Sequence, residues 1–183
     1  MTTYTTPTTQ ENRDSFDTGP LSWVIGEIRD ALARSKASLV EALTLDKDDQ
    51  STALRQAKSY LHQAHGALQI VDLDGVVIIT ETVEDLCDRI ESGQVTLSKE
   101  MVHAIENAYR ALTEYLEELL SGAAHQPVRL FPYYRALLEV RGAERIHPAD
   151  LFFPNLAIRP KFSVEQPAAR VDYVALRKRY ERV

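Results

Sequence analysis

Residues 76–90 read VVIITETVEDLCDRI. Four β-branched residues in a row, Val76 to Ile79, have the composition of a short strand. A strand here would make the chain mixed α/β. The apolar pattern does not stop at Ile79, however. Leu73, Val76, Val77, Val83, Leu86 and Ile90 keep to one stripe at helical spacing, up to a stop at Gly93. A period near 3.6 residues is the mark of an amphipathic helix. The run is therefore read as part of a helix, and the chain as all-α.

Three further helical patterns surround it. Upstream, LSWVIGEIRDALARSKASLVEALT aligns Leu21, Val24, Ile25, Ile28, Leu32, Leu39 and Leu43. A second pattern starts near Asp48 and carries Leu54, Ala57, Leu61, Ala64, Leu68 and Val71. Downstream, Ser98 is a helix N-cap by residue type. Val102, Ile105, Tyr109, Leu112, Leu116 and Leu119 follow it, and Gly122 ends the pattern. The connections are short, so neighbouring helices are expected to run antiparallel. The expectation for residues 19–122 is an up-down four-helix bundle. Trp23 and Tyr109 are assigned to its core, and Cys87 is read as a small buried hydrophobe. Asp46, Asp48 and Asp49 read as a solvated turn with helix-start acids, because the glycine and terminal glutamate of a calcium loop are missing.

The character changes after Gly122. Residues 123–169 are punctuated by proline and rich in aromatics. Pro132 is expected to open a short helix through Arg141, stopped by Gly142, and Pro148 a single turn. Leu151, Phe152, Phe153, Leu156, Ile158 and Phe162 are too apolar for a free linker and are expected to pack on the bundle or on a partner; Phe131, Leu151, Phe152 and Phe153 are expected to bury apolar area against the bundle. Residues 170–183 read as the helical start of a linker or a next domain, in a longer chain. The threonine-rich residues 1–18 hold little that builds a core and read as disordered.

Charge is uneven over the 183 residues. Residues 1–126 carry 21 acidic and 10 basic side chains, and residues 127–183 carry 6 and 11. The acidic part repels nucleic acid, and the basic part suits docking on the acidic part or on an acidic partner. No run approaches the roughly 20 apolar residues that span a bilayer, so neither nucleic-acid binding nor membrane insertion is expected. The single cysteine fits a reducing compartment, and the expected location is cytoplasmic.

The candidate site lies on the second helix. Leu54, Leu61 and Leu68 face inward, and Arg55, His62 and Gln69 form the adjacent ridge. Lys58 and Gly66 flank His62 one turn away on either side. His65 lies one turn on, placed to share a ligand with His62. A neutral exposed imidazole is a competent phosphoryl acceptor near physiological pH. Arg55, Lys58 and His65 are candidates to hold phosphoryl oxygens. Glu81 and Glu84 on the third helix are candidates to orient the other ring nitrogen. Gly66 removes bulk that would block a large partner. His103, His125 and His147 have no evident partners in the sequence. No cysteine or acidic cluster stands behind the histidines, so no metal and no cofactor is assigned.

LHQAHGALQIVDLDG (61–75) resembles the phosphoacceptor segment of histidine phosphotransfer (Hpt) domains, as in CheA-type chemotaxis kinases. The family pattern is a histidine, two residues, a lysine and a glycine. Laid on this sequence, the phosphoacceptor falls on His62, the lysine on His65, the glycine on Gly66 and the histidine-bonding carboxylate on Glu84. With LFPYYRALLEVRGAERIHPADLFFP (130–154), the wording is similar to the N-terminal region of ChpA/PilL hybrid kinases of type IV pilus chemosensory systems, to which the FimL scaffold is related. The resemblance implies a phosphorelay module of a chemosensory two-component system controlling twitching motility. It would have no independent catalytic activity. A histidine kinase catalytic domain would load it, and a CheY-like response regulator receiver would unload it. The alternative is an Hpt-like scaffold that docks receiver or polar partners without being phosphorylated.

Overall fold

The computed structural model describes residues 18–73 and 75–153. Among these there is no strand. Five α-helices follow one another: α1 (Thr18–Ala42), α2 (Lys47–Val71), α3 (Val77–Glu91), α4 (Lys99–Leu120) and α5 (Phe131–Arg141). Single 3₁₀ turns at Pro127–Leu130 and Pro148–Leu151 precede and follow α5. None of the helices is long and apolar enough to cross a membrane. The sequence expectations for residues 1–17, for Leu156, Ile158 and Phe162, and for the helical tail lie outside the described residues.

The β-branched run is helical. Val76, Ile79, Val83, Leu86, Cys87 and Ile90 are buried together, which fits a helix and not the alternation of a strand. The helix itself begins later than the apolar pattern, at Val77. Before it, two residues have positive φ angles, Asp72 at 53° and Gly75 at 77°, and the Val76 amide donates to the Leu73 carbonyl at 3.3 Å. At Gly75 a side chain is excluded twice over. An added Cβ would lie 2.8 Å from Phe153 Cε2 and 2.8 Å from Pro127 Cβ, and the left-handed backbone disfavours any other residue.

Capping sets the other boundaries. Asp46 accepts from the Asp49 amide at 3.2 Å to start α2, with Asp48 and Asp49 in the first turn where the helix dipole favours acids. Ser98 accepts from the Met101 amide at 3.2 Å to start α4.

α1 packs against α2 and α4, α2 against α3, and α5 against both α3 and α4. Leu21, Ile28, Leu39, Leu61, Leu68, Leu86, Ile105, Leu112 and Leu116 fill the space between them, each fully buried. Side-chain pairs record the register. Arg29, Ser35 and Lys36 of α1 meet Glu117, Tyr109 and Glu106 of α4. Lys58, His62 and His65 of α2 meet Asp88, Glu84 and Thr80 of α3. In both pairs of helices the numbers ascend on one and descend on the other.

Two core assignments need correction. Trp23 is 88% exposed. It sits roughly 200° round α1 from Leu21, away from the side that holds Ile28, Leu32 and Leu39. In the extension, Leu151 is fully buried, but Phe131 is only half-buried, and Phe152 and Phe153 are 65% and 43% exposed. The buried anchors are Leu130, Tyr134, Leu137 and Leu138. Tyr134, Leu137 and Leu138 share one face of α5 at helical spacing, and that face is the one turned inward. Tyr115 fastens the entry to the extension, accepting from the Gln126 amide at 2.8 Å. Basic residues of the extension also meet acidic residues of the preceding helices: Arg129 with Glu118 at 2.5 Å and Arg141 with Asp85 at 3.1 Å.

Candidate functional site

Leu54, Leu61 and Leu68 are all buried, so the α2 ridge beside them faces outward. His62 lies on that ridge with its side chain 76% exposed. Its Nδ1 is 3.2 Å from Glu84 Oε1. An ionised carboxylate only accepts hydrogen bonds, so in the neutral ring Nδ1 carries the proton and donates it to Glu84. Nε2 then keeps its lone pair and has no hydrogen-bond partner among the described residues. Glu81, the other candidate carboxylate on α3, is exposed and makes no bond to His62. The ring borders a shallow, open depression lined by Arg55, Lys58, Ser59, His62, Gln63 and Glu91.

The cations beside His62 differ in availability. Lys58 is bonded to Asp88, and that bond raises its pKa above the usual lysine value. Arg55 is exposed. Its Nε reaches back to the Ser51 carbonyl at 3.4 Å, and no carboxylate pairs with it among the described residues. Gly66 leaves open space, since an added Cβ would meet nothing within 4 Å.

His65 departs from the sequence expectation. It is 7% exposed and has no free nitrogen to offer a ligand on the surface. Nδ1 lies 2.9 Å from Thr80 Oγ1 and Nε2 lies 2.9 Å from the Gln69 side-chain amide nitrogen. Its ring is nearly parallel to that of His62, at 14° and with centroids 6.2 Å apart. The reason is positional: His65 is four residues after Leu61 and three before Leu68, on the edge of the inner stripe.

The remaining histidines also have partners that the sequence did not reveal. His103 bonds Asn107 at 3.1 Å, His125 Nδ1 bonds the Tyr115 hydroxyl at 2.9 Å, and His147 Nδ1 accepts from the Ala149 amide at 3.0 Å. Cys87 is buried, and burial pushes its thiol up to about 12. A thiol so protonated is not a nucleophile at neutral pH. Among the described residues no group of three or more His, Cys, Asp or Glu side chains is placed to hold a metal ion.

Thr80 and Gln69 bond His65, and Asp88 bonds Lys58 beside His62; the sequence placed Gln69 on the His62 ridge but assigned none of these three contacts. A signal was present for Thr80 and Asp88. Thr80, Glu84 and Asp88 lie four apart on α3 and form a single row, the row that meets His65, His62 and Lys58. No protein-family model, no curated protein and no solved structure matches the chain.

Proposed function

We propose that this chain is an Hpt-like phosphotransfer module of a chemosensory two-component system, of the kind that governs type IV pili. In this reading α1–α4 form an antiparallel up-down four-helix bundle, with α5 and its flanking turns docked on it. The opposed numbering of the α1/α4 and α2/α3 side-chain pairs supports that arrangement.

The observation that carries the functional reading is the His62–Glu84 pair, with the ring largely in solvent and Nδ1 held by a carboxylate. The Nε2 lone pair attacks the γ-phosphorus of ATP held by a separate kinase domain. An N–P bond forms, the bond from that phosphorus to the bridging oxygen breaks, and ADP leaves. No proton need leave Nε2, because the Nδ1–H tautomer has none there. Glu84 stabilises the positive charge that the ring acquires, as the orienting carboxylate of a catalytic histidine does. A receiver aspartate then attacks the phosphorus. The N–P electrons return to Nε2 and the neutral ring is restored. Gly66 keeps the approach open for a second protein.

The test is incubation with the cognate kinase domain and labelled ATP. Acid-labile, alkali-stable label is expected on the wild type and none on His62→Gln, with the helical content of the two unchanged. Label that survives His62→Gln would put the phosphoryl group on another residue and overturn the assignment.

One observation favours a second reading, a docking scaffold that is not phosphorylated. Of the three residues assigned to hold phosphoryl oxygens, His65 is buried and Lys58 is bonded to Asp88, so Arg55 alone stands exposed without a carboxylate partner. A scaffold gives no label on the wild type. It also gives a signalling defect from Gly66→Leu and none from His62→Gln.

A further inference from the structure

His65 is buried immediately before the glycine gap at Gly66, and its hydrogen bonds have a fixed polarity. Thr80 has one hydroxyl proton and donates it to the Val77 carbonyl at 2.7 Å. Thr80 Oγ1 is therefore left as an acceptor toward His65, so His65 Nδ1 must carry the proton and donate it. His65 Nε2 is then the bare nitrogen and accepts from the Gln69 amide nitrogen. The chain of donors runs from Gln69 through His65 and Thr80 to Val77, in the first turn of α3. Every member of it is satisfied with His65 neutral.

This chain is the inner of three rungs between α2 and α3. The middle rung is His62–Glu84 and the outer is Lys58–Asp88. The side chains of the outer rung are 34% and 55% exposed, and those of the middle rung 76% and 20%. Water competes for both. The inner rung is the dry one, with Thr80 fully buried and His65 nearly so. A buried, satisfied polar pair fixes its geometry more firmly than an exposed one, because breaking it strands polar atoms without a partner. Thr80 and Glu84 are one helical turn apart on α3, and His65 and His62 are one turn apart on α2. Pinning Thr80 to His65 therefore sets the height and rotation at which Glu84 meets His62.

We infer that His65 and Thr80 are positioning residues: their buried hydrogen bond holds α3 in the register that keeps Glu84 on Nδ1 of His62 and so keeps Nε2 of His62 as the bare nitrogen. The inference deepens the phosphotransfer reading and rests on it for its purpose, but the geometry it claims is measurable without any phosphotransfer.

The experiment is nitrogen-15 NMR of the histidine rings in the full chain, at alkaline pH where imidazoles are neutral. Wild-type His65 is expected to be the Nδ1–H tautomer with a slowly exchanging ring proton, and wild-type His62 to favour the Nδ1–H tautomer. Thr80→Val removes the acceptor and conserves shape. It is expected to shift His62 toward the Nε2–H tautomer that an exposed imidazole prefers. Thr80→Ser keeps the hydroxyl and is expected to restore the wild-type ratio. Gln69→Met, on the exposed side, removes the donor to His65 Nε2 but leaves the Thr80 bond, and is expected to move His62 little. An unchanged His62 ratio in folded Thr80→Val overturns the inference. If Thr80→Val does not fold, the wild type still decides: a His65 populated as the Nε2–H tautomer overturns it. The two readings also fail separately. Absent labelling at His62 with the expected tautomers would remove phosphotransfer and leave the positioning intact. Labelling with an unresponsive His62 tautomer would do the reverse.

Discussion

Glu84→Gln separates a carboxylate that orients a nucleophile from one that abstracts a proton. The pair is 3.2 Å apart, with the His62 side chain 76% and the Glu84 side chain 20% exposed. A hydrogen bond to a charged group is worth about 1.5–3 kcal/mol when well shielded. Exposed ion pairs are worth only about 0.2–1 kcal/mol. Since one partner here is mostly in water, roughly 1 kcal/mol is a fair ceiling for what the charge adds to the Nδ1–H tautomer. At about 1.4 kcal/mol per factor of ten, the fraction of rings with a bare Nε2 falls by no more than about fivefold. Glutamine can still accept through its carbonyl oxygen, which limits the loss further. Single-turnover labelling by rapid quench, with the kinase domain in excess, reads this directly, and thermal melts check that the fold is kept. General acid–base catalysis contributes about 10²–10⁴-fold. A loss beyond about a hundredfold would mean that Glu84 moves a proton in the rate-limiting step. A rate equal to wild type would mean that the pair does not orient the ring. Either result refutes the tautomer argument.

Gly66→Ala is expected to raise stability by about 0.5–1 kcal/mol, since glycine is unfavourable in a helix interior and the new Cβ meets nothing within 4 Å. Gly66→Leu is expected to fold equally well yet to weaken receiver binding in titration calorimetry, and unaltered binding would remove the docking role. Leu137→Ala and Leu151→Ala, both at fully buried sites, are expected to cost about 2–5 kcal/mol each in urea denaturation. Phe152→Ser and Trp23→Ser, at exposed sites, are expected to change stability by no more than about 0.5 kcal/mol; a core-sized loss at either would contradict its placement. Stability is also expected to fall in alkali. Burial raises Cys87 from 9.0 to about 12, Tyr115 from 10.0 to about 12, and Tyr109 further still. The folded chain keeps these protons where the unfolded chain loses them, so their effect is absent below about pH 9 and destabilising as pH rises from there toward 12. Urea melts at stepped pH test this, and a flat profile above pH 9 would contradict the burial of these groups.

The fold class was legible because the periodicity of burial outweighs local β propensity. Val76 to Ile79 favour a strand as isolated residues, yet the positions that need burying beyond them recur at helical spacing. A strand would have turned half of Val83, Leu86, Cys87 and Ile90 to water. Helix ends were legible where a side chain caps them, as at Ser98. The start of α3 was not, because it has no side-chain cap. It follows Gly75, whose positive φ and close approach to Pro127 and Phe153 leave no room for a side chain. Those two contacts come from residues more than fifty positions away and leave no local trace. The extension shows the same limit. Apolar composition indicated that something in residues 128–153 is buried, but the direction of α5 against α3 and α4 decides which residues are.

The site was legible in its outward ridge and not in its rungs. A single amphipathic helix shows which residues leave the core, so His62 and Arg55 could be placed outside from α2 alone. Which carboxylate meets which base depends on how far α3 slides along α2, and a slide of one turn would pair His62 with Thr80 or Asp88 in place of Glu84. Three contacts oppose that slide together. An outer ion pair in water does so weakly, and a half-exposed His62–Glu84 bond little better. The buried His65–Thr80 bond opposes it most, since moving it leaves two polar groups unpaired in the core. This also accounts for the histidine at position 65. A lysine there could not bury its ammonium against a hydroxyl whose proton is already given to Val77 without a large desolvation cost, so it would reach for the surface and leave Thr80 without a donor. Replacing His65 with lysine is therefore expected to add a cation beside His62 while loosening the register that holds Glu84 there. Labelling of His65→Lys reports which effect dominates: faster labelling means that phosphoryl charge is limiting, and slower labelling with an altered His62 tautomer means that the orientation of the nucleophile is.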